Sequence, residues 1–477
     1  MRRGILGIDF GTTKVAAVLV DPDSGEVLCS KSKNTGAYVE CKNPAYAEQD
    51  VERIKDSFDD VLADVVSIED VEIVSIGLTG QMHGILGIGK DGLPVTNLVT
   101  WQDGRGDIPR RDGKTTLERM RERAGERPVA TGYGVVTLFD WAERGGLGEV
   151  DRVCTVADYF ASVLTGKPPV MDFSMAHSLG CLNGTSTGWD MDYLDRLGIK
   201  VSVLPPLVKP ASVAGECASG TLDLQDPVPV SAALGDNQAS FVGSVSGLDS
   251  TILINIGTGA QISLALSNDG PVTADGYDLQ KRPFVEDRIL LAGGSLAGGA
   301  VYAALRDFFA RTGRELFGLS GIEDAELWKK MEESALRALY DDTGSETDGL
   351  VVTPLFAGRR SSPQTRGTIE GMSLDNFTPA NLIKGILLGM VRVLEDLVDQ
   401  SLLARRPFLV GSGNAIRRNE ALRACAELVF GKKPRIPKME EEAAVGAALA
   451  GAVGCRVFPD FAGACALVRY NMQGGAP

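Results

Sequence analysis

Two segments about 250 residues apart repeat one design. Gly7-Ile8-Asp9-Phe10-Gly11-Thr12-Thr13-Lys14 and Asn255-Ile256-Gly257-Thr258-Gly259-Ala260-Gln261 each leave an apolar strand, pass through Gly-Thr and enter another (5–8 then 15–20; 252–254 then 262–266). Glycine at a strand-to-strand turn tolerates positive φ and lets a ligand come close to the backbone. Successive N–H groups in such a turn make a concave anion site, and neighbouring hydroxyls add donors that suit phosphate oxygens. One such hairpin is also an ordinary β-turn. Two, each near the start of half a chain, predict a duplicated domain gripping a polyphosphate between its copies, and therefore a nucleotide enzyme. The phosphate-side residues are then Gly11, Thr12, Thr13 and Lys14 in the first copy and Gly257, Thr258, Gly259 and Gln261 in the second.

Bulk properties set the limits. A chain of 477 residues has room for two or more domains with real cores. Its 44% hydrophobic and 23% charged residues are ordinary for soluble globular proteins. A formal net charge of −15 argues against a nucleic-acid or anionic-membrane surface, so phosphate must be met by local amides and a few placed cations. No run of eighteen apolar residues occurs, and Asp9 interrupts the first apolar run before it could serve as a signal peptide. The eight cysteines show no CxxC pair, which predicts reduced thiols in a cytoplasmic protein. With only His83 and His177, a histidine-rich metal site is excluded.

Short apolar strands at 4–9, 15–20, 26–31 and 71–79 alternate with amphipathic helices at 48–65, 115–124, 137–144 and 156–164, predicting an α/β layer structure. Residues 167–230, rich in Gly, Pro and Ser, read as loops. The second half restarts with the echoed hairpin. It continues with a strand at 289–292, a small-residue helix start at 293–295 and a polar insertion at 313–349. A long helix over 379–403, a strand at 407–410 and helices at 418–429 and 442–453 complete it. A boundary within 244–249 gives domains 1–245 and 246–477, with a cleft between them.

Asp9 ends a buried strand beside the first hairpin. A carboxylate there would repel phosphate unless it held a divalent cation, which points to Mg²⁺; the plain alternative is an Asp capping its own turn. Asp236, in Leu234-Gly235-Asp236-Asn237-Gln238, sits where a strand turns into a helix. It reads either as a base that takes a hydroxyl proton or as a helix N-cap. Gln81-Met82-His83, held between Gly80 and Gly84, and Trp101-Gln102-Asp103 together suit a polyol, since hydroxyls need paired donors and acceptors and an indole covers a carbohydrate face. Tyr133 and the Asp158-Tyr159 pair are weaker candidates, equally suited to the core. Gly411-Ser412-Gly413-Asn414, between a strand and a helix, offers a flat seat for a nucleoside base. No GxxxxGK[ST] is present, so a P-loop kinase is excluded.

In this order the segments resemble the FGGY family of carbohydrate kinases, from Gly4 to about Val453. The resemblance rests on Asp9-Phe10-Gly11-Thr12-Thr13, Gly80-Gln81-Met82-His83-Gly84, Gly235-Asp236-Asn237-Gln238, Gly257-Thr258-Gly259 and Gly411-Ser412-Gly413-Asn414. It implies two actin-like, ribonuclease H-like ATPase domains, the fold shared with actin and the heat-shock chaperone ATPases. It also implies transfer of the ATP γ-phosphoryl to a terminal hydroxyl of an open-chain ketose or polyol, with Mg²⁺. On that resemblance Asp236 is the base and, with Asp9, lies at the metal. Gln81, Met82, His83, Trp101, Asp103, Tyr133 and Asn237 meet the sugar, and Gly411–Asn414 carries adenosine. Residues 80–84, 100–105, 130–134 and 158–159 are most similar to the sedoheptulokinases within the xylulokinase-like branch, so sedoheptulose is the expected substrate and xylulose the runner-up. The rival from another class is a non-catalytic or chaperone-like ATPase of the same superfold, which has no use for a polyol pocket. Expected partners are ATP and a small sugar or polyol, not nucleic acid or a membrane, with a homodimer left open. One departure stands out: Gly358-Arg359-Arg360-Ser361-Ser362-Pro363 carries arginine where the family usually has the glutamate of a Gly-Glu-Arg-Ser-Pro-like segment, a position expected to be peripheral to the phosphates.

Overall fold

The strand Arg2–Phe10 is buried on both faces from Gly4 to Ile8, so it must lie mid-sheet with cover on each side. In the computed structural model, which describes residues 1–217, 226–267, 272–274, 276–321, 323–340 and 350–471, it does. The sheet of the first unit runs in the order Val213–Cys217, Val228–Ser231, Val71–Gly80, Arg2–Phe10, Lys14–Val20, Val27–Asn34. Arg2–Phe10 pairs antiparallel with Lys14–Val20 and parallel with Val71–Gly80, which also pairs with the short strand Leu234–Gly235. Alternation along the strand sends successive side chains to opposite faces. Phe10 stacks its ring on Phe160 at 4.4 Å and leans on Phe58 at 5.4 Å. On the other face Gly7 leaves room for the helix Glu442–Gly454: a Cβ there would stand 1.9 Å from the Ala444 carbonyl oxygen.

The chain forms two compact units that are not two continuous halves. The first comprises Met1–Ser246 with Arg282–Ile289 and Met439–Arg469, and the second Gly247–Lys281, Leu290–Lys438 and Tyr470–Pro477. The sheet of the second unit runs in the order Leu279–Pro283, Ile289–Ser295, Ala260–Leu266, Thr251–Ile256, Phe408–Ser412, Pro434–Arg435. Its central hairpin, Thr251–Ile256 against Ala260–Leu266, is antiparallel, and Thr251–Ile256 is flanked on its other side by the parallel strand Phe408–Ser412. Hairpin plus parallel neighbour is the arrangement of the first unit, so the repeated motif marks a repeated supersecondary design.

Several elements differ from the sequence reading. The helix expected over 379–403 is two, Pro379–Glu395 and Gln400–Ala404, because Asp399 caps a fresh start by accepting the Ser401 N–H at 2.7 Å. Gly293-Gly294-Ser295 ends the strand Ile289–Ser295, and the helix starts later, as Gly299–Phe317. The helix expected at 418–429 is a short turn, Asn414–Arg418, followed by Glu420–Phe430, which Asn419 caps. The supposed loops of 167–230 contain the helices Phe173–Ser178 and Met191–Leu197. The polar insertion holds the helix Asp324–Tyr340, while its 341–349 stretch lies outside the described residues. None of the eight cysteines is in a disulfide, and among the described residues no helix is long and apolar enough to cross a membrane.

Candidate functional site

In an open α/β sheet, ligands gather at the carboxyl ends of the parallel strands. In the first unit three such ends coincide. Asp9 pairs with Thr79 and Phe10 with Gly80, while Leu234 pairs with Thr79 and Gly235 with Gly80. Asp9, Gln81 and Asp236 therefore emerge together although the first and last are more than two hundred residues apart in sequence.

Asp9 is only partly exposed, and its Oδ1 is shut off from solvent with no hydrogen-bond partner. Burial pushes its carboxyl up to about 7, the negative charges of Asp236 and Glu441 add to the shift, and Lys14 opposes it. Asp236 is not an N-cap. Gly235 holds that place for the helix Asp236–Ser244, and no side chain caps it. Burial raises the Asp236 carboxyl to about 6, against the pull of the Arg282 guanidinium and the Asn237 amide. Arg282, itself buried, donates from Nη1 to Asn237 Oδ1 at 3.1 Å. Lys14 is committed within the first unit: its ammonium meets both oxygens of Glu441, at 2.6 and 2.8 Å.

The residues expected to meet a polyol interlock with the first hairpin. Gln81 donates from Nε2 to Gln49 Oε1 at 2.9 Å, and Gln49 donates onward to the Thr12 carbonyl at 2.6 Å. Gln81 Oε1 is buried without a partner. The Trp101 indole N–H donates to Thr12 Oγ1 at 3.0 Å, and the side chain stays well exposed. His83 has its backbone at φ +71° and its ring 4.4 Å from that of Tyr133. Met82 is buried, and its Sδ and Cε stand 2.9 Å from where a Cβ on Gly235 would be. Asp103 is placed differently from the expectation. It is 0% exposed, and its oxygens accept from the Ala47 N–H and from the backbone and guanidinium of Arg105. It braces the loop beneath Trp101 and does not face a ligand.

In the second unit the same strand-end logic joins the second hairpin to Gly411–Asn414, since Asn255 pairs with Ser412. The turn is buttressed by the N-terminus of Gly299–Phe317: the Gly299 N–H donates to the Gly257 carbonyl at 2.8 Å and the Ala300 N–H to the Thr258 carbonyl at 3.1 Å. Thr258 and Gly259 remain exposed, and Gln261 pairs with Asn255 across the hairpin. Positive φ, expected of these turns, is absent at Gly11, Gly257 and Gly259 but present at Gly413, at +86°. The Gly411–Asn414 glycines answer first to packing. A Cβ on Gly413 would stand 2.7 Å from the Ile256 carbonyl oxygen, and one on Gly411 would stand 2.8 Å from Ile416 Cδ1. A valine at Gly413 would thus strain the backbone before it touched any nucleotide. Ser412 Oγ, fully buried, has no hydrogen-bond partner. Asn414 is exposed at the start of its short helix. The Arg359–Arg360 departure lies in this unit: Ser361 bonds Asp278 by backbone and hydroxyl, and the Arg360 guanidinium lies 3.5 Å from where a Cβ on Gly294 would be.

Gln49, Ser174, Ser178, Arg282 and Glu441 escaped the sequence reading. Gln49 directly precedes a helix N-cap and was absorbed into that helix. Arg282 belongs to a sequence-distant segment that returns to the first unit, and nothing local marks it.

Comparison with known proteins identifies the family. The model of the "FGGY family of carbohydrate kinases, N-terminal domain" matches residues 4–243, and that of the C-terminal domain matches 253–455. The chain is 30% identical to sedoheptulokinase of Mus musculus, covering 93% of this chain and 96% of that protein. It is 27% identical to a xylulose kinase of Staphylococcus epidermidis, over 94% and 88% of the two chains. Among solved structures, xylulose kinase from Rhodospirillum rubrum superposes with a TM-score of 0.81 at 22% identity, covering 98% of this chain and 93% of that one, a likeness of fold. The chain belongs to the FGGY family of carbohydrate kinases and is an ATP-dependent sugar kinase with an α/β fold of two domains.

Proposed function

We propose that the chain phosphorylates a terminal hydroxyl of a ketose, with sedoheptulose as substrate and Asp236 as the base. The observation that carries this reading is the convergence of Asp9, Gln81 and Asp236 at three parallel strand ends, with Asp236 held near neutrality and unused as a helix cap. A base is most effective when its pKa lies near the working pH. Arg282 and Asn237 hold the entrance to the Asp236 helix and present donors beside the carboxylate. The exposed Trp101 face and His83 receive the sugar. Each hairpin, within its own unit, offers amides suited to phosphate oxygens, and Gly411–Asn414 of the second unit takes the adenosine. Phosphoryl transfer needs positioning and charge stabilisation more than covalent help, and backbone amides supply both.

Mg²⁺ fits the residues present. Asp9 carries an orphaned buried oxygen, and burial, with the charges of Asp236 and Glu441 adding to it, raises its carboxyl to about 7. Mg²⁺ typically takes one or two carboxylates and leaves its other positions to water and phosphate. Asp9 would hold it, with Asp236 adjacent; bound, it would neutralise charge on the phosphate oxygens.

The choice of sedoheptulose rests on the similarity to the mouse enzyme, and xylulose is the alternative that the second relative supports. A site built to pair extra hydroxyls rejects analogues that lack them. Assayed with ATP across C5 to C7 ketoses and polyols, sedoheptulose should give the highest kcat/KM. A higher value for xylulose would replace the assignment, and sugar-independent ATP hydrolysis alone would remove it.

A further inference from the structure

The helix Phe173–Ser178 falls in a stretch whose sequence reads as loop, yet through three of its residues it reaches three parts of the site. Its N-cap Asp172 accepts the Ser174 N–H, and both residues are fully buried. Ser174 Oγ then accepts the Gly235 N–H at 2.8 Å, one residue before Asp236. At the other end Ser178 grips His83 twice. Its Oγ accepts the His83 N–H at 2.9 Å, and its carbonyl oxygen lies 2.8 Å from His83 Nδ1. Between them His177 is pushed down to about 4, by burial first and then by Arg282, the residue that bonds Asn237.

Two consequences follow from elementary chemistry. A carbonyl oxygen only accepts, so His83 Nδ1 carries the ring proton and Nε2 keeps its lone pair when the ring is neutral. His83 also holds φ +71°, a region costly for any residue but glycine, and such a backbone persists only where its surroundings over-determine it. Ser178 supplies that restraint to backbone and ring together. At the Asp236 end no side chain caps the helix, so the Ser174 bond to Gly235 fixes how the chain enters it.

We propose that Phe173–Ser178 is a positioning brace for the transfer: Ser178 sets the tautomer and aim of His83 toward the sugar, and Ser174 sets the place of Asp236. Both serines act through other residues. The inference rests on the sugar and base assignments above. A helix that merely fills the core would lose stability on substitution at either end and change the kinetics alike; a brace gives a split.

With the ketose the enzyme prefers, Ser178→Ala should raise the sugar KM by about tenfold or more and blunt discrimination among ketoses, with kcat little changed. Ser174→Ala should lower kcat by roughly 10- to 100-fold with KM little changed, the scale of small misplacements of a reacting group. Ser178→Thr and Ser174→Thr, which keep the hydroxyl, should recover most of each loss. Identical effects at both ends, or a lowered Tm with parental kinetics, overturn the brace. A substrate-free measurement guards against variants that fail to fold. The chain has two histidines, so ¹⁵N imidazole NMR of the parent at a pH where both rings are neutral reads His83 directly. A protonated Nδ1 is expected, and a protonated Nε2 overturns the proposal. Because that spectrum needs no sugar, an absence of ketose turnover would remove the functional reading while leaving the brace to be judged on the tautomer.

Discussion

Asp236 occupies the first turn of its helix without capping it, and that position separates two readings that its sequence context leaves open. Asn caps helices about as well as Asp, so a capping role would survive Asp236→Asn. With Gly235 as the cap, the same substitution removes basicity while keeping shape. We expect kcat to fall by roughly 10² to 10⁴-fold, the ordinary worth of a positioned base, with sugar and nucleotide Kd little changed by calorimetry and Tm held. A folded variant with parental kcat would leave the proton acceptor unassigned. Asp9 makes a separate prediction, because its orphaned oxygen and its raised carboxyl both ask for a cation. In Asp9→Asn the Mg²⁺ concentration for half-maximal rate should rise at least about tenfold, no less than is typical when a residue behind a metal ligand is lost. An unshifted Mg²⁺ titration would detach Asp9 from the metal.

Elements show which parts of the site a sequence reveals and which it hides. The first hairpin, with Asp9 at its strand end, was legible because strand, turn and strand are contiguous and an unbroken apolar run marks each arm. Asp103 was misread because composition shows a carboxylate beside a tryptophan but not that Arg105 two residues on consumes it. Phe173–Ser178 was invisible because six residues are too few to show a helical period, and its signal is one Asp cap. Behind that helix lies a buried pair. Asp158 and Asp172 are both 0% exposed. Burial is the main cause that pushes each carboxyl up to about 7, and for Asp158 the charge of Asp172 adds to it. A carboxyl with a raised folded-state pKa favours folding while protonated. Its contribution is complete below its unfolded value near 4 and is lost as pH climbs through about 7. For Asp158 a rise from 3.8 to about 7 corresponds to at most about 4 kcal/mol across that window. Asp158→Asn cannot ionise, so its Tm relative to the parent should improve from pH 5 to about pH 7 and level off above that. Parallel Tm curves for the two proteins would show that Asp158 does not titrate in the folded chain over that range.

At the scale of the whole molecule, the course of the chain limits what sequence halves can mean. A division near residue 245 follows the repeated hairpin, but the first unit also recruits Arg282–Ile289 and Met439–Arg469. The recruited helix Glu442–Gly454 is not an optional cover. A Cβ on Gly446 would stand 1.8 Å from the Ala239 carbonyl oxygen, and one on Gly77 would stand 1.8 Å from the Ala447 carbonyl oxygen, so helix and sheet meet backbone to backbone. Gly446→Ala should therefore cost at least the roughly 1–3 kcal/mol of an overpacked core, read as a lower Tm. The same contact predicts the behaviour of fragments. Residues 1–246 alone would expose Gly7, Gly77 and Gly243, the surface on which that helix lies. They would also lack Arg282 beside Asn237. Most of the central strands would remain, so secondary structure should persist in far-UV circular dichroism, but without the helix the core is open on one face and thermal unfolding should lose its cooperativity. Adding the 439–469 peptide should restore a concentration-dependent, cooperative transition, because whatever binds only the folded state raises its stability by mass action. A sharp transition from 1–246 alone, unmoved by the peptide, would show that the first unit is complete without the end of the chain.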